Sequence, residues 1–157
     1  MTDEAGLLEI EKDRKTKTAV ICPVIKTAAG MMTAEEEAAR ENEAAGLVLA
    51  MGQEVVFCET VRMSAIVPKS FFGKGTLERL RTACEEKGAE LLVVDMPVSA
   101  VQQRNLEKML NMKVIDRTAV ILEIFGQRAQ TREGKLQVEL AHLTYQRGRL
   151  VRSWTHL

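Results

Sequence analysis

The chain has 157 residues, 46% of them hydrophobic, which suffices to bury one core and leave an appendage and does not suggest a disordered, collagen-like or membrane protein. Net charge is zero but unevenly spread: residues 1–46 hold 6 basic and 10 acidic groups, residues 117–157 hold 7 basic and 3 acidic. No apolar run approaches the roughly 18 residues of a membrane helix, and the acidic start Met1-Thr2-Asp3-Glu4 lacks the character of a signal peptide, so a cytoplasmic chain with no membrane partner is expected.

Residues 1–16 are mixed in charge without apolar periodicity and read as a mobile tail. Lys17–Ile25 is a β-branched apolar run, the first predicted strand. Thr33 with Glu36 forms a capping box and opens a helix that runs through alanine-rich residues to Met51. After Gly52, residues 54–62 make a second strand, and a loop leads to Gly75. Residues 76–87 form the next helix, ended by Gly88, and residues 90–95 have the composition of a buried strand. Pro97 turns the chain, Ser99 with Gln102 caps a helix to about Leu110, and residues 113–115 form a short last strand.

This alternation predicts an α/β fold: a small four-stranded parallel sheet of order 2-1-3-4, flanked by helices and spanning residues 17–116. The reversal between strands 1 and 3 places a crevice at their carboxyl ends, bordered by Ala28, Ala29 and Gly30 on one loop and by Asp95, Met96 and Pro97 on the other. Cys22, Cys58 and Cys84, odd in number and set in apolar stretches, read as reduced core thiols, with neither zinc nor a disulfide indicated.

From Asp116, an N-cap candidate, to Leu157 there is no proline, and a continuous helix of that span would extend roughly 60 Å. Leu122, Phe125, Ala129, Arg132, Leu136, Leu140, Leu143, Arg147, Leu150, Trp154 and Leu157 alternate spacings of three and four, the period of a two-helix seam. Residues 117–157 therefore read as a long C-terminal helix lacking the second helix its seam needs, with self-association through the uncovered seam expected; the alternative is that residues 117–130 pack on the domain and the remainder frays. Gly126, Gly134 and Gly148 are places where such a helix bends or breaks. Its basic groups, Arg128, Arg132, Lys135, Arg147, Arg149 and Arg152, could follow a phosphate backbone, although a solvated helix face has the same composition.

Chemical candidates are few. Gly73-Lys74-Gly75-Thr76 enters a helix where exposed amides and Lys74 could hold a phosphate, and ordinary turn glycines account for the same residues. The segment is not a Walker A loop, because Pro68 stands for its first glycine and Gly75 for its hydroxyl residue. His142 and His156 have no metal-ligand spacing around them and read as surface residues. Asp116 is best explained as a cap, while Asp95 stays open between a structural and a catalytic role. Ser70, Ser99 and Ser153 have no base in a credible arrangement, so no catalytic residues are assigned.

The run Asp116-Arg117-Thr118, Ile124-Phe125, Gln127-Arg128-Ala129 and Thr131 to Ala141 (Thr-Arg-Glu-Gly-Lys-Leu-Gln-Val-Glu-Leu-Ala) resembles the HflX family of ribosome-associated GTPases. Gly73-Lys74-Gly75 matches that family's glycine-lysine loop, and Val101 to Glu107 looks like its helix after the third strand. The matches span residues 40 to 157, and residues 1–39 carry none. The resemblance implies an amino-terminal α/β subdomain, a helical hairpin, and a GTP-binding domain in cis that uses GTP and Mg and is absent here. It also implies binding to the large (50S) ribosomal subunit and its rRNA near the peptidyl-transferase centre, with a role in splitting or rescuing ribosomes. Arg147, Arg149, Arg152 and Trp154, approaching the hairpin tip, become the expected RNA contacts. An ATP-binding activity of the amino-terminal region of some members is the alternative, suited to the crevice and Lys74, although Val67-Pro68-Lys69-Ser70 is less basic than that family's loop.

Overall fold

Lys17–Ile25 offers seven consecutive buried positions and becomes β1, an interior strand of a parallel sheet, as a run apolar on both faces does when helices cover both. The structure is a computed structural model that describes residues 15–26, 30, 32–129 and 131–154, the last seven as backbone alone. After β1 come α1 (Ala34–Ala50), β2 (Glu54–Met63), α2 (Lys74–Lys87), β3 (Leu91–Val94), α3 (Ala100–Leu110), β4 (Lys113–Asp116), α4 (Arg117–Arg128) and α5 (Arg132–Trp154). Strand order is β2-β1-β3-β4 with every pairing parallel, which is the order expected from the sequence. The expected tail lies, Lys15 and Thr16 apart, outside the described residues, as do Ala28, Ala29 and His156.

The pleat divides the core in two. Ala19 and Ile21 of β1, with Leu92, Val94 and Val114, face Leu77, Leu80 and Cys84 of α2 and Leu106 and Leu110 of α3. Val20 and Cys22, with Leu91 and Val93, face Ala44 and Val48 of α1 and Val120 and Ile124 of α4. Each fully buried aliphatic side chain here stabilises the fold by about 1.5–3 kcal/mol relative to exposure. Where β4 leaves an open edge, α3 closes it: Gln103 donates to the Val114 carbonyl at 2.8 Å and Glu107 accepts the Val114 amide at 3.3 Å.

Helix ends follow the caps with two differences. Ser99 and Gln102 make the full reciprocal box, whereas at Thr33 the Glu36 carboxylate takes the threonine hydroxyl itself. The second helix begins at Lys74 and not at Thr76, because Gly73 adopts the extended N-cap conformation with no side chain to announce it.

The expected rod is two helices. Ala129 is extended (φ −66°, ψ 119°) and ends α4, and Thr131 starts α5 by accepting the Gly134 amide at its hydroxyl, 2.9 Å away. The break thus falls between Gly126 and Gly134 and is made by a new N-cap, not by a glycine. The chain then reverses: His142 Nε2 lies 3.2 Å from the Leu122 carbonyl, and the Tyr145 hydroxyl donates to Asp116. In place of one rod of roughly 60 Å stand antiparallel helices of about 18 and 35 Å.

Candidate functional site

Successive residues of a helix turn through about 100°, so Arg132, Leu136, Leu140, Leu143 and Arg147 share one face of α5, while Val138, His142 and Tyr145 share the opposite one. The second group packs on α4, Val138 and His142 lying against Gly126. The leucines point away: Leu136, Leu140 and Leu143 are 54%, 64% and 57% exposed, and Phe125 of α4 is 56% exposed. The seam read from the sequence is therefore a real uncovered stripe between residues 132 and 147, on the side of α5 remote from α4. Arg128, Arg132, Lys135 and Arg147 are exposed and pair with no carboxylate among the described residues. The side chains of Arg149, Leu150, Arg152 and Trp154 lie outside the described residues.

What fixes this face relative to the sheet is a polar network at the carboxyl edge. Asp95 follows β3 and is buried, and it receives Arg40 Nε on Oδ2 at 3.2 Å and Arg117 Nη1 on Oδ1 at 3.0 Å. Arg40 also donates to the Asp95 carbonyl at 2.9 Å and to the Pro23 carbonyl, spanning the ends of β1 and β3. Arg117 reaches on to Glu43 of α1 at 2.8 Å; that bond, with Asp95 behind it, raises its guanidinium above the ordinary pKa against the effect of burial. Asp116 is the N-cap the sequence indicates, with Oδ1 accepting the Ala119 amide, and it also takes the Val98 amide on Oδ2 and the Tyr145 hydroxyl on Oδ1.

Both carboxylates are thus consumed in holding elements together. Asp95, open between two roles in the sequence, is the counter-ion of two arginines, and Asp116 accepts from two amides and a phenol. Arg40 and Tyr145 carry no motif, and Arg117 entered the sequence reading only within the Asp116-Arg117-Thr118 run, with no role assigned. The nearest signal was Arg40 as the one cation within an acidic helix that holds Glu35, Glu36, Glu37, Glu41 and Glu43.

The crevice residues Pro23, Val24, Ile25, Gly30, Met32, Arg40 and Met96 line a shallow pocket at the strand ends. Gly73, Lys74, Gly75 and Thr76 are not part of it. They form the exposed start of α2, on the opposite face of the sheet from α1 and Arg40, beside a separate groove with Leu77, Glu78, Arg81, Lys108 and Met109. The two halves of the expected nucleotide site are therefore not brought together. Among the described residues no cluster of three or more His, Cys, Asp or Glu forms a metal site, and no helix is long and apolar enough to cross a membrane.

Residues 38–126 match a family described as GTP-binding GTPase N-terminal, and residues 128–157 one described as GTP-binding GTPase Middle Region. The boundary between them coincides with the end of α4. GTPase HflX of Magnetococcus marinus is 50% identical over 116 residues, covering 74% of this chain and 27% of that protein, and GTPase HflX of Escherichia coli is 46% identical over the same span. The chain spans about a quarter of the length of these curated relatives. A GTP-binding protein from Sulfolobus solfataricus, solved in complex with GDP, superposes with a TM-score of 0.63 at 23% identity, over 89% of this chain and 40% of that one. A variant of SsGBP gives 0.65 at 22% identity over 88% and 41%. At that identity the likeness establishes the fold.

Proposed function

The chain belongs to the HflX family of GTPases, whose amino-terminal and middle regions it matches, and from this premise we propose that it is the docking part of such an enzyme. In this reading residues 17–116 are a rigid platform and residues 117–157 present a binding face to the rRNA of the large (50S) ribosomal subunit, in the service of splitting or rescuing ribosomes in the cytoplasm. The chain itself is non-catalytic; GTP and Mg belong to a GTPase domain joined in cis.

The observation that carries the reading is the outward face of α5, where Arg132 and Arg147 flank three exposed leucines and Lys135 stands beside them, unpaired among the described residues. Cations held on a helix and free of carboxylates release condensed counterions when they meet phosphates. The leucines need protein cover, which a second hairpin helix of the parent supplies. An ATP site formed by the crevice and the Gly73–Thr76 loop is not favoured, since those elements lie on opposite faces. Sedimentation with isolated large subunits tests the proposal: the chain co-pellets at low salt and is released as salt rises, and its absence from the pellet at every salt concentration would refute it.

A further inference from the structure

The two edges of the sheet are finished differently. At β4, side chains of α3 take up the Val114 amide and carbonyl, whereas β2 runs 10 residues along the other edge with no strand beyond it among the described residues. Backbone groups of successive strand residues point to alternate sides. The Met63 carbonyl accepts the Lys26 amide at 2.8 Å, so Met63 turns its backbone to β1, as do Val61, Glu59 and Phe57. The amides and carbonyls of Cys58, Thr60 and Arg62 therefore face outward, and none of them has a partner among the described residues.

Proteins blunt such an edge with proline, lysine or a bulge. Neither proline nor lysine stands in Glu54–Met63, and the register irregularity opposite Thr18 and Ala19 touches only the start of the strand. The flanks of the edge are acidic. Arg62 pairs with Glu37 of α1 on one face and Arg79 of α2 with Glu59 on the other. Glu41 of α1 is left over: its carboxylate accepts the Thr60 hydroxyl at 2.8 Å and meets no cation among the described residues.

We propose that β2 receives an extended, lysine- or arginine-rich polypeptide segment as a fifth strand of the sheet. The ladder of outward donors and acceptors supplies the pairing, and cations on alternate residues of the incoming strand lie beside Glu41. A second copy of this chain is the poorer occupant. Antiparallel pairing of β2 with itself about a two-fold axis sets α1 against α1, and that helix carries Glu35, Glu36, Glu37, Glu41 and Glu43 against Arg40 alone. RNA is poorer still, because its phosphates only accept hydrogen bonds and would leave the three carbonyls facing negative charge.

The test titrates a capped octapeptide alternating lysine and threonine into the isotope-labelled full chain and follows amide exchange by NMR. At saturation the Cys58, Thr60 and Arg62 amides exchange roughly tenfold more slowly, while Glu59 and Val61, already bonded to β1, and the amides of α5 do not change. The glutamate counterpart of the peptide binds roughly tenfold more weakly, and Glu41→Gln, which keeps an acceptor for Thr60, narrows that preference. N-methylation throughout removes the peptide's donors without its charge and abolishes the protection. Unchanged exchange at the three amides, equal protection by the N-methylated peptide, or the same protection by an RNA oligonucleotide would overturn the proposal. So would protection that grows with the concentration of the chain alone, since the occupant would then be a second copy.

Discussion

The Tyr145 hydroxyl donates to Asp116 Oδ1 at 3.0 Å, joining the third turn from the end of α5 to the cap that starts α4. Asp116 is buried and holds four groups in register: the β4 terminus it belongs to, the α4 amide of Ala119, the Val98 loop amide and the α5 phenol. Tyr145→Phe removes the phenol and leaves the other bonds, so it is expected to cost about 1–2 kcal/mol. Amide exchange then accelerates in α5 while the sheet stays protected. Asp116→Ala also strips the cap and the Val98 partner, and is expected to cost about 2–4 kcal/mol in denaturant unfolding.

Arg40 and Arg117 both bind Asp95 but are not equivalent. The Arg40 side chain is 22% exposed and bonds two backbone carbonyls besides the carboxylate, whereas that of Arg117 is 37% exposed and shares itself with Glu43. Arg40→Ala leaves a buried carboxylate with one partly solvated partner and two orphaned carbonyls, a loss of about 3 kcal/mol. Arg117→Ala is expected to cost less than half of that, because Arg40 remains on Asp95. Equal losses in urea unfolding would contradict the ranking.

The strands and most helix starts were legible because their signals are local: β-branched runs between turn residues, and Thr33, Ser99 and Asp116 in capping positions. Gly73 escaped because it caps through backbone conformation alone. The reversal of α5 escaped for a different reason. Leucine spacing marks the more apolar face of the helix, but the face that docks on α4 is the quieter one of Val138, His142 and Tyr145, chosen by hydrogen bonds to Leu122 and Asp116 that no periodicity encodes. The Arg40–Asp95 pair joins positions 55 apart and is likewise a product of the sheet topology.

Two glycines near the break invite opposite outcomes. A Cβ at Gly126 would meet Val138 Cγ1 at 3.5 Å, an ordinary contact, so Gly126→Ala gains helix propensity and raises stability by about 0.5–1 kcal/mol. At Gly134 the added carbon falls 2.8 Å from Thr131 Oγ1, the atom that caps α5. Gly134→Ala displaces that cap, so its melting temperature should show no comparable gain, and should fall if the cap is lost outright.

Cys84 gives the chain an alkaline limit. Its folded pKa, about 11, stands above the ordinary 9.0, so the folded state holds the thiol proton more tightly than the unfolded chain does. The contribution is whole below pH 9.0 and is lost as pH rises towards 11. Cys84→Ala should therefore lose less stability than the parent over that interval, measured as the shift in urea midpoint, and parallel curves would show that the thiol is not the cause.

The face of α5 mixes two kinds of contact that salt can tell apart. If Arg132, Lys135 and Arg147 meet RNA phosphates, each releases counterions and adds roughly 0.7–0.9 to the slope of log affinity against log salt. Replacing all three by Gln should lower that slope by about two and weaken binding most at low salt. Leu136→Ser and Leu140→Ser remove apolar area from the same face without charge, so they should leave the slope unchanged whatever they do to affinity. They should also abolish any self-association that light scattering detects in the parent chain, since the exposed leucines are what a second copy would cover. A triple Gln variant with the parent's slope would move the RNA contact off this helix and leave the leucine stripe as a protein-binding surface alone.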